Sequence, residues 1–328
     1  MRRREFFTLF TGAMAWPLAT RGEQSGRLPT IGVLWHASNE QEEAPYLGAF
    51  RQGLNDLGYV ESKSFVLENR FAAERYERFN KLAAELVRLN VDVLVAVTRP
   101  AALAAQGATN TIPVVFILVP DPVASKLIDS LARPGRNITG VSQIALDLIS
   151  KRLQLLKETV TDLSSVAVLV NPNDPGDARR YSEEVRAAAA SLNVATHAVE
   201  AGTPEAIDVA FSAIARDRSG GVIVTNDPMY FNERVRIGEL GISRRVPVIS
   251  FSRAMAVSGS LMSYGADVPA LFRRGAALAI QILRGAKPAD LPVELPTKFE
   301  LIINLKTARI LGSQIPPTLL VRADEVIE

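Results

Sequence analysis

From Thr30 onward, short β-branched apolar runs alternate with amphipathic stretches of helical spacing. That alternation is the mark of a largely parallel sheet wrapped by helices. The pattern predicts strands over 30–35, 65–70, 91–97, 113–119 and 137–142, with helices over 44–57 and 74–89 and a short alanine-rich helix after residue 97. Gly58 suits a left-handed helix end, and Leu82, Leu86 and Leu89 are spaced to share one helix face.

After a connecting helix over 146–159, the rhythm restarts. Strands are predicted over 165–170, 196–200, 221–225, 246–250 and 260–262, and helices over 177–192, 204–216 and 229–242. A tail helix over 268–283 and a strand near 299–304 come too late for a third core and are expected to return to the first two. The fold class expected is α/β: two Rossmann-like lobes with parallel sheets, joined by a hinge of several crossovers. The expected boundaries are 26–144 plus about 264–296 for one lobe and 145–263 plus about 297–328 for the other. A chain of 328 residues suits two cores better than one.

The first 25 residues change the picture. MRRREFF followed by a short apolar run has the layout of an export signal, and the arginines before Phe6 and Phe7 resemble the twin-arginine type. The formal charge is +2, and without those residues thirty-three basic side chains face thirty-three acidic ones. A nucleic-acid partner, which would call for a basic surplus, is therefore not expected. The absence of cysteine removes thiol chemistry, disulfides and a lipidated cysteine anchor. No P-loop, GxGxxG, GxSxG or HExxH motif is present, so neither a cofactor nor a metal is expected.

Open parallel sheets bind ligands beyond the carboxyl ends of their strands. Reading the residues after each strand yields His36, Ser38 and Asn39; Thr98, Arg99 and Ala101; Asp121; Asn171 and Asn173; Asn226 and Asp227; and Phe251 and Ser252. Helix starts at such positions favour an anionic ligand group, although Asn, Asp and Ser also serve there as simple caps. His197 falls within a strand, so a pair with His36 is not expected. The arginine pairs 179–180, 244–245 and 273–274 are expected to be solvated helix faces.

Longer motifs carry a resemblance. IGVL from Ile31, FRQGLNDLGYVE from Phe50, SLARPGRNITGV from Ser130, VLVNPNDP from Val168, NDPMYFNERVRI from Asn226 and LMSYG from Leu261 are among them. With the closing GAKPADLPVELPTKFELIINLKTARILG from Gly285, they resemble the TrpX-like group of ABC-transporter substrate-binding proteins. The resemblance implies a type I periplasmic binding protein, or Venus flytrap, that closes on a small-molecule ligand and presents it to ABC permease subunits. It implies no catalysis and a soluble, unanchored location in the periplasm, and a monomer is expected. It adds Tyr264 to the cleft-bordering residues. Relatives commonly carry glycine and a Ser or Thr before the proline where this chain has Thr98 and Arg99, so Arg99 is a candidate for a ligand carboxylate. The leading expectation is an amino acid or similar small carboxylate, aromatic ones included. Two other classes are a ligand sensor of the same fold, which would need a DNA-binding segment before Thr30, and a cleft enzyme using Asp121 and Asp227 as an acid/base pair.

Overall fold

A computed structural model describes residues 27–146 and 148–328. The expected export signal lies outside the described residues. The first lobe runs β1 (Thr30–Trp35), α1 (Ala44–Asp56), β2 (Val66–Phe71), α2 (Tyr76–Arg88), β3 (Val93–Val97), α3 (Arg99–Ala108), β4 (Val114–Val119) and β5 (Ile138–Ser142). The second runs α4 (Ile149–Thr159), β6 (Ser165–Val170), α5 (Pro175–Ala190), β7 (Ala195–Glu200), α6 (Pro204–Arg216), β8 (Val222–Val224), α7 (Pro228–Asn232), α8 (Arg234–Ser243), β9 (Val248–Ser250), α9 (Arg253–Val257) and β10 (Met262–Ala266). The tail contributes α10 (Val268–Leu283), β11 (Phe299–Asn304), α11 (Leu305–Leu311), α12 (Pro317–Arg322) and β12 (Glu325–Ile327).

The first sheet has the order β2-β1-β3-β4-β5, and the second has β12-β11-β10-β9-β8-β6-β7. Read from β7, the second sheet repeats the order of the first and then gains β11 and β12. Every pairing is parallel except β10 with β11, where Met262 faces Ile303 and Ala266 faces Phe299. The central strands are almost wholly buried, VLVAV of β3 along its whole length, because helices cover both faces of a parallel sheet.

The tail divides between the lobes. The helix α10 lies against α1, so closely that a Cβ on Gly53 would stand 2.8 Å from the Arg273 Cα. Glu294 continues alongside β5, donating its amide to the Gly140 carbonyl at 3.0 Å. After that, β11 joins the second sheet. The chain thus crosses between sheets after Ser142, again between Ala266 and Val268, and again between Glu294 and Phe299.

Several local expectations are revised. The helix expected over 229–242 is two helices, α7 and α8, separated by Glu233, which ends one and starts the other. Leu89 is not part of the buried face of α2. It caps the helix end and is 44% exposed, whereas Phe79, Leu82, Ala83 and Leu86 are buried. The strand expected over 260–262 forms further on as β10, and α9, α11, α12 and β12 carry too few residues for a periodicity to show. Gly58, as expected, follows α1 with φ 83.

Candidate functional site

In both sheets the strand order reverses beside the first strand, between β1 and β3 in one lobe and between β6 and β8 in the other. The loops leaving such a pair of strands splay apart, which opens a crevice at their carboxyl ends. Here the two crevices face each other across a cavity of about 80 Å³. His36, Thr98 and Arg99 reach it from the first lobe, and Asn171, Asn226 and Asp227 from the second. One part of the wall is apolar and aromatic: Tyr46, Tyr76, Leu118, Phe231, Phe251 and Val268. The rings of Tyr46 and Phe231 meet across the lobes with centroids 5.3 Å apart, so the lobes touch beside the cavity.

The backbone is strained where it borders this space. Thr98 has φ 78 and Leu118 φ 63, a region that non-glycine residues enter at a cost of about 1–3 kcal/mol each. Thr98 is held there by its amide, which donates to the Ile117 carbonyl at 2.8 Å, and by its carbonyl, which accepts from Ala102 of α3 at 3.1 Å.

Three charged residues in the wall, His36, Asp227 and Arg152, are buried. His36 is buried, with Nδ1 2.6 Å from Glu74 Oε1 and Nε2 3.0 Å from Glu43 Oε1. Burial alone would lower its pKa, but the two carboxylates more than offset that and hold it up at about 9, so the ring is an imidazolium. The same Glu74 oxygen accepts from Asn232 Nδ2 at 2.5 Å, which ties this group to the second lobe.

Asp227 stands at the start of α7, accepting from the Met229 amide at 2.8 Å and from Asn171 Nδ2 at 3.0 Å. Burial pushes its carboxyl up to about 6, with these hydrogen bonds opposing and Glu74 adding to the rise. It is ionised at neutral pH and presents an anion to the cavity.

Arg152, on α4, is fully buried. Its Nε donates to the Tyr264 carbonyl at 2.8 Å and its Nη1 to Asn226 Oδ1 at 2.7 Å. Burial draws its pKa down to about 10, which leaves it charged. Arg152 Nη2, Tyr181 Oη, Thr98 Oγ1, Arg99 Nε and Ser252 Oγ are buried without a hydrogen-bond partner among the described residues, and each belongs to a residue of the cavity wall. Burying such groups unpaired costs free energy; their convergence on one space is what a site for a polar ligand requires.

Of the residues expected from the strand ends, the structure gathers His36, Thr98, Arg99, Asn171, Asn226, Asp227, Phe251 and Ser252 around the cavity. The rest stand elsewhere. Ser38 is exposed, its amide donating to Glu42 at 2.9 Å. Ala101 is on the buried face of α3, packed in the core of the first lobe. Asp121 accepts from the Ala124 amide at 2.9 Å and pairs with Arg180. Tyr264 packs its ring near Phe299 and offers the cavity region only its carbonyl, through Arg152.

Arg99 pairs across the lobes with Asp174 and, at 3.7 Å, with Asp177, so its charge already has partners within the protein. Arg180, expected to be solvated, is a correction: it crosses the lobe boundary to Asp121, because α5 lies along the rim of the cleft. The reading of 179 holds, since Arg179 is largely exposed. His197 lies in β7 of the second sheet, 3.2 Å from Ser219, far in the fold from His36 in the first. Arg152 and Tyr181 were missed because they sit within helices rather than after strands. One signal was present for Arg152: it falls between Ile149 and Leu156 on the face of α4 that those residues bury.

Among the described residues, no helix is long and apolar enough to cross a membrane. The family model described as ABC transporter substrate binding protein matches residues 31–327. A tyrosine-binding protein of Clostridioides difficile (strain R20291) is 25% identical over 265 residues, 81% of this chain and 76% of that protein. A conserved domain protein from Vibrio cholerae, 27% identical, superimposes with a TM-score of 0.85 over 92% of this chain and 100% of that one. An ABC domain from Streptococcus pneumonia in complex with L-Trp, 23% identical, does so with a TM-score of 0.82 over 92% and 100%. With two such lobes, a shared cavity between them and a family match that spans nearly the whole chain, the protein belongs to the ABC transporter substrate-binding protein family.

Proposed function

We propose that this chain is the exported solute-binding component of an ABC importer, closing its lobes over an amino acid with an aromatic or large apolar side chain and delivering it to a membrane permease. The observation that carries the reading is the cavity at the strand ends, with an apolar and aromatic wall on one part and buried opposite charges, Arg152 and Asp227, on another. An amino acid is the small molecule that joins an apolar group to a zwitterion, and relatives bear names with tyrosine and L-Trp. The protein catalyses nothing in this reading and acts as a soluble monomer of the periplasm.

The two lobes, 26–144 with about 264–296 and 145–263 with about 297–328, move as rigid bodies about the crossovers, and the ligand shifts the population towards the closed form by its preference for it. Isothermal titration against tyrosine, tryptophan, phenylalanine, leucine and isoleucine tests the proposal. Binding of at least one at micromolar or tighter dissociation constant, with a smaller radius of gyration in solution scattering, is expected. Heat from none of them, or scattering curves that superimpose with a bound ligand, would overturn it.

A further inference from the structure

We infer that Arg152 and Tyr181 form the subsite that reads the ligand's carboxylate, so that a free carboxyl group is obligatory for binding; the inference rests on the reading of the cavity as an amino-acid site. Arg152 has 0% exposure and makes no ion pair with a carboxylate among the described residues. A buried guanidinium without a counter-ion is costly. Its two neutral acceptors, the Tyr264 carbonyl and Asn226 Oδ1, fix the plane of the guanidinium and occupy Nε and Nη1. Nη2 is left over, buried and unpaired.

Tyr181 comes to the same wall from α5, the helix packed beside α4, and is 2% exposed. Its hydroxyl is also buried without a partner, and the two side chains are close enough for each to bear on the other's ionisation. Burial and the nearby Asp177 keep the phenol protonated, with Arg152 opposing, so Tyr181 Oη is a donor. Both residues line the same cavity, and each carries a buried donor without a partner, one of them cationic. A carboxylate, with two oxygens and one negative charge, satisfies both, and it supplies the counter-ion that Arg152 lacks. Arg99 is the less suitable partner for a ligand acid because Asp174 and Asp177 already neutralise it. Asp227 stands in the same wall as the anion for the ligand's ammonium group, which sets the zwitterion's polarity.

The test compares ligands that differ only in the group at issue. L-Tyrosine, tyramine and 3-(4-hydroxyphenyl)propionate share the ring, and leucine with isoamylamine forms a second pair. The intact protein is titrated calorimetrically with each. Loss of the carboxylate is expected to weaken binding by at least about 100-fold, because a site built around a polar ligand group discriminates strongly against its absence. Tyr181→Phe, which removes one hydroxyl and keeps the ring, is expected to weaken the acids by roughly fivefold and leave tyramine unchanged. Arg152→Gln is expected to bring tyrosine and tyramine within about threefold of each other.

Tyramine binding as tightly as tyrosine to the unaltered protein, or a Tyr181→Phe effect equal for acid and amine, overturns the subsite. If the aromatic acids fail to bind but leucine binds and isoamylamine does not, the side-chain reading falls while the carboxylate subsite stands. If no carboxylate in either series binds, both fall. The ligand comparison needs no variant, so a failure of Arg152→Gln to fold leaves the outcome decided by the unaltered protein and Tyr181→Phe.

Discussion

Arg180 of α5 pairs with Asp121, which follows β4 in the opposite lobe, and so closes the rim of the cleft with a contact between residues 59 positions apart. Asp174, Asp177 and Arg180 follow one another at three-residue spacing along the start of α5, so they share a face. The first lobe answers them with Arg99 and Asp121. The two lobes therefore meet through ion pairs of opposite sense, cation to anion in one and anion to cation in the next. Burial would raise the Asp121 carboxyl, but the Ala124 amide and the Arg180 guanidinium more than offset this and hold it below its usual value.

This clasp is half-exposed, and such pairs are worth only about 0.2–1 kcal/mol. Arg180→Ala is expected to speed ligand dissociation by roughly two- to fivefold, with association little changed. The double exchange Asp121→Arg with Arg180→Asp restores the slower rate if the pair acts across the lobes. Stopped-flow displacement at low and high salt measures both, and screening should shrink the difference.

The His36 group makes stability depend on alkaline pH. Its folded pKa of about 9 exceeds the usual 6.5, so its contribution is complete below about 6.5 and is lost as pH rises through 9. The groups facing it are Glu43, Glu74 and Asp227. Glu43, whose own pKa burial raises with His36 opposing, ionises at the cost of desolvation and moderates the gain. The net loss between pH 6.5 and pH 9.5 should be on the order of 1–3 kcal/mol. Thermal unfolding across that interval checks it, and His36→Gln should flatten the profile.

Asp227 governs the acid side of ligand binding. With a pKa of about 6 in the protein alone, it must give up its proton before it can face an ammonium group. Affinity for an amino acid should fall by roughly tenfold between pH 7 and pH 5. Titration of the deaminated analogue 3-(4-hydroxyphenyl)propionate should lack that fall. Equal pH dependence for both ligands would remove Asp227 from the ammonium subsite.

The return of α10 to the first lobe rests on Gly53. Any side chain there meets the Arg273 backbone at 2.8 Å and Ala276 at 3.0 Å, neither of which is a flexible tip. Gly53→Val is expected to destabilise the protein by about 1–3 kcal/mol through overpacking. Gly48, on the same helix with open space around it, is the control: Gly48→Ala should be neutral or slightly stabilising. Urea unfolding of both variants separates the two effects.

The sequence by itself determined the alternation of strands and helices, the restart of that rhythm after residue 146 and the loops at the strand ends, because periodicity and turn chemistry are local properties. It brought His36, Thr98, Asn171 and Asp227 to notice for the same reason: each directly follows a strand or nearly so. Only the tertiary structure decided which helix side chains look into the cleft. Arg152 and Tyr181 are interior helix positions whose role depends on how α4 and α5 are turned, and Arg99 found its partners 75 and 78 residues away on another lobe. The meeting of those groups is set by the angle at which two separately folded sheets close, and no spacing along the chain encodes that angle.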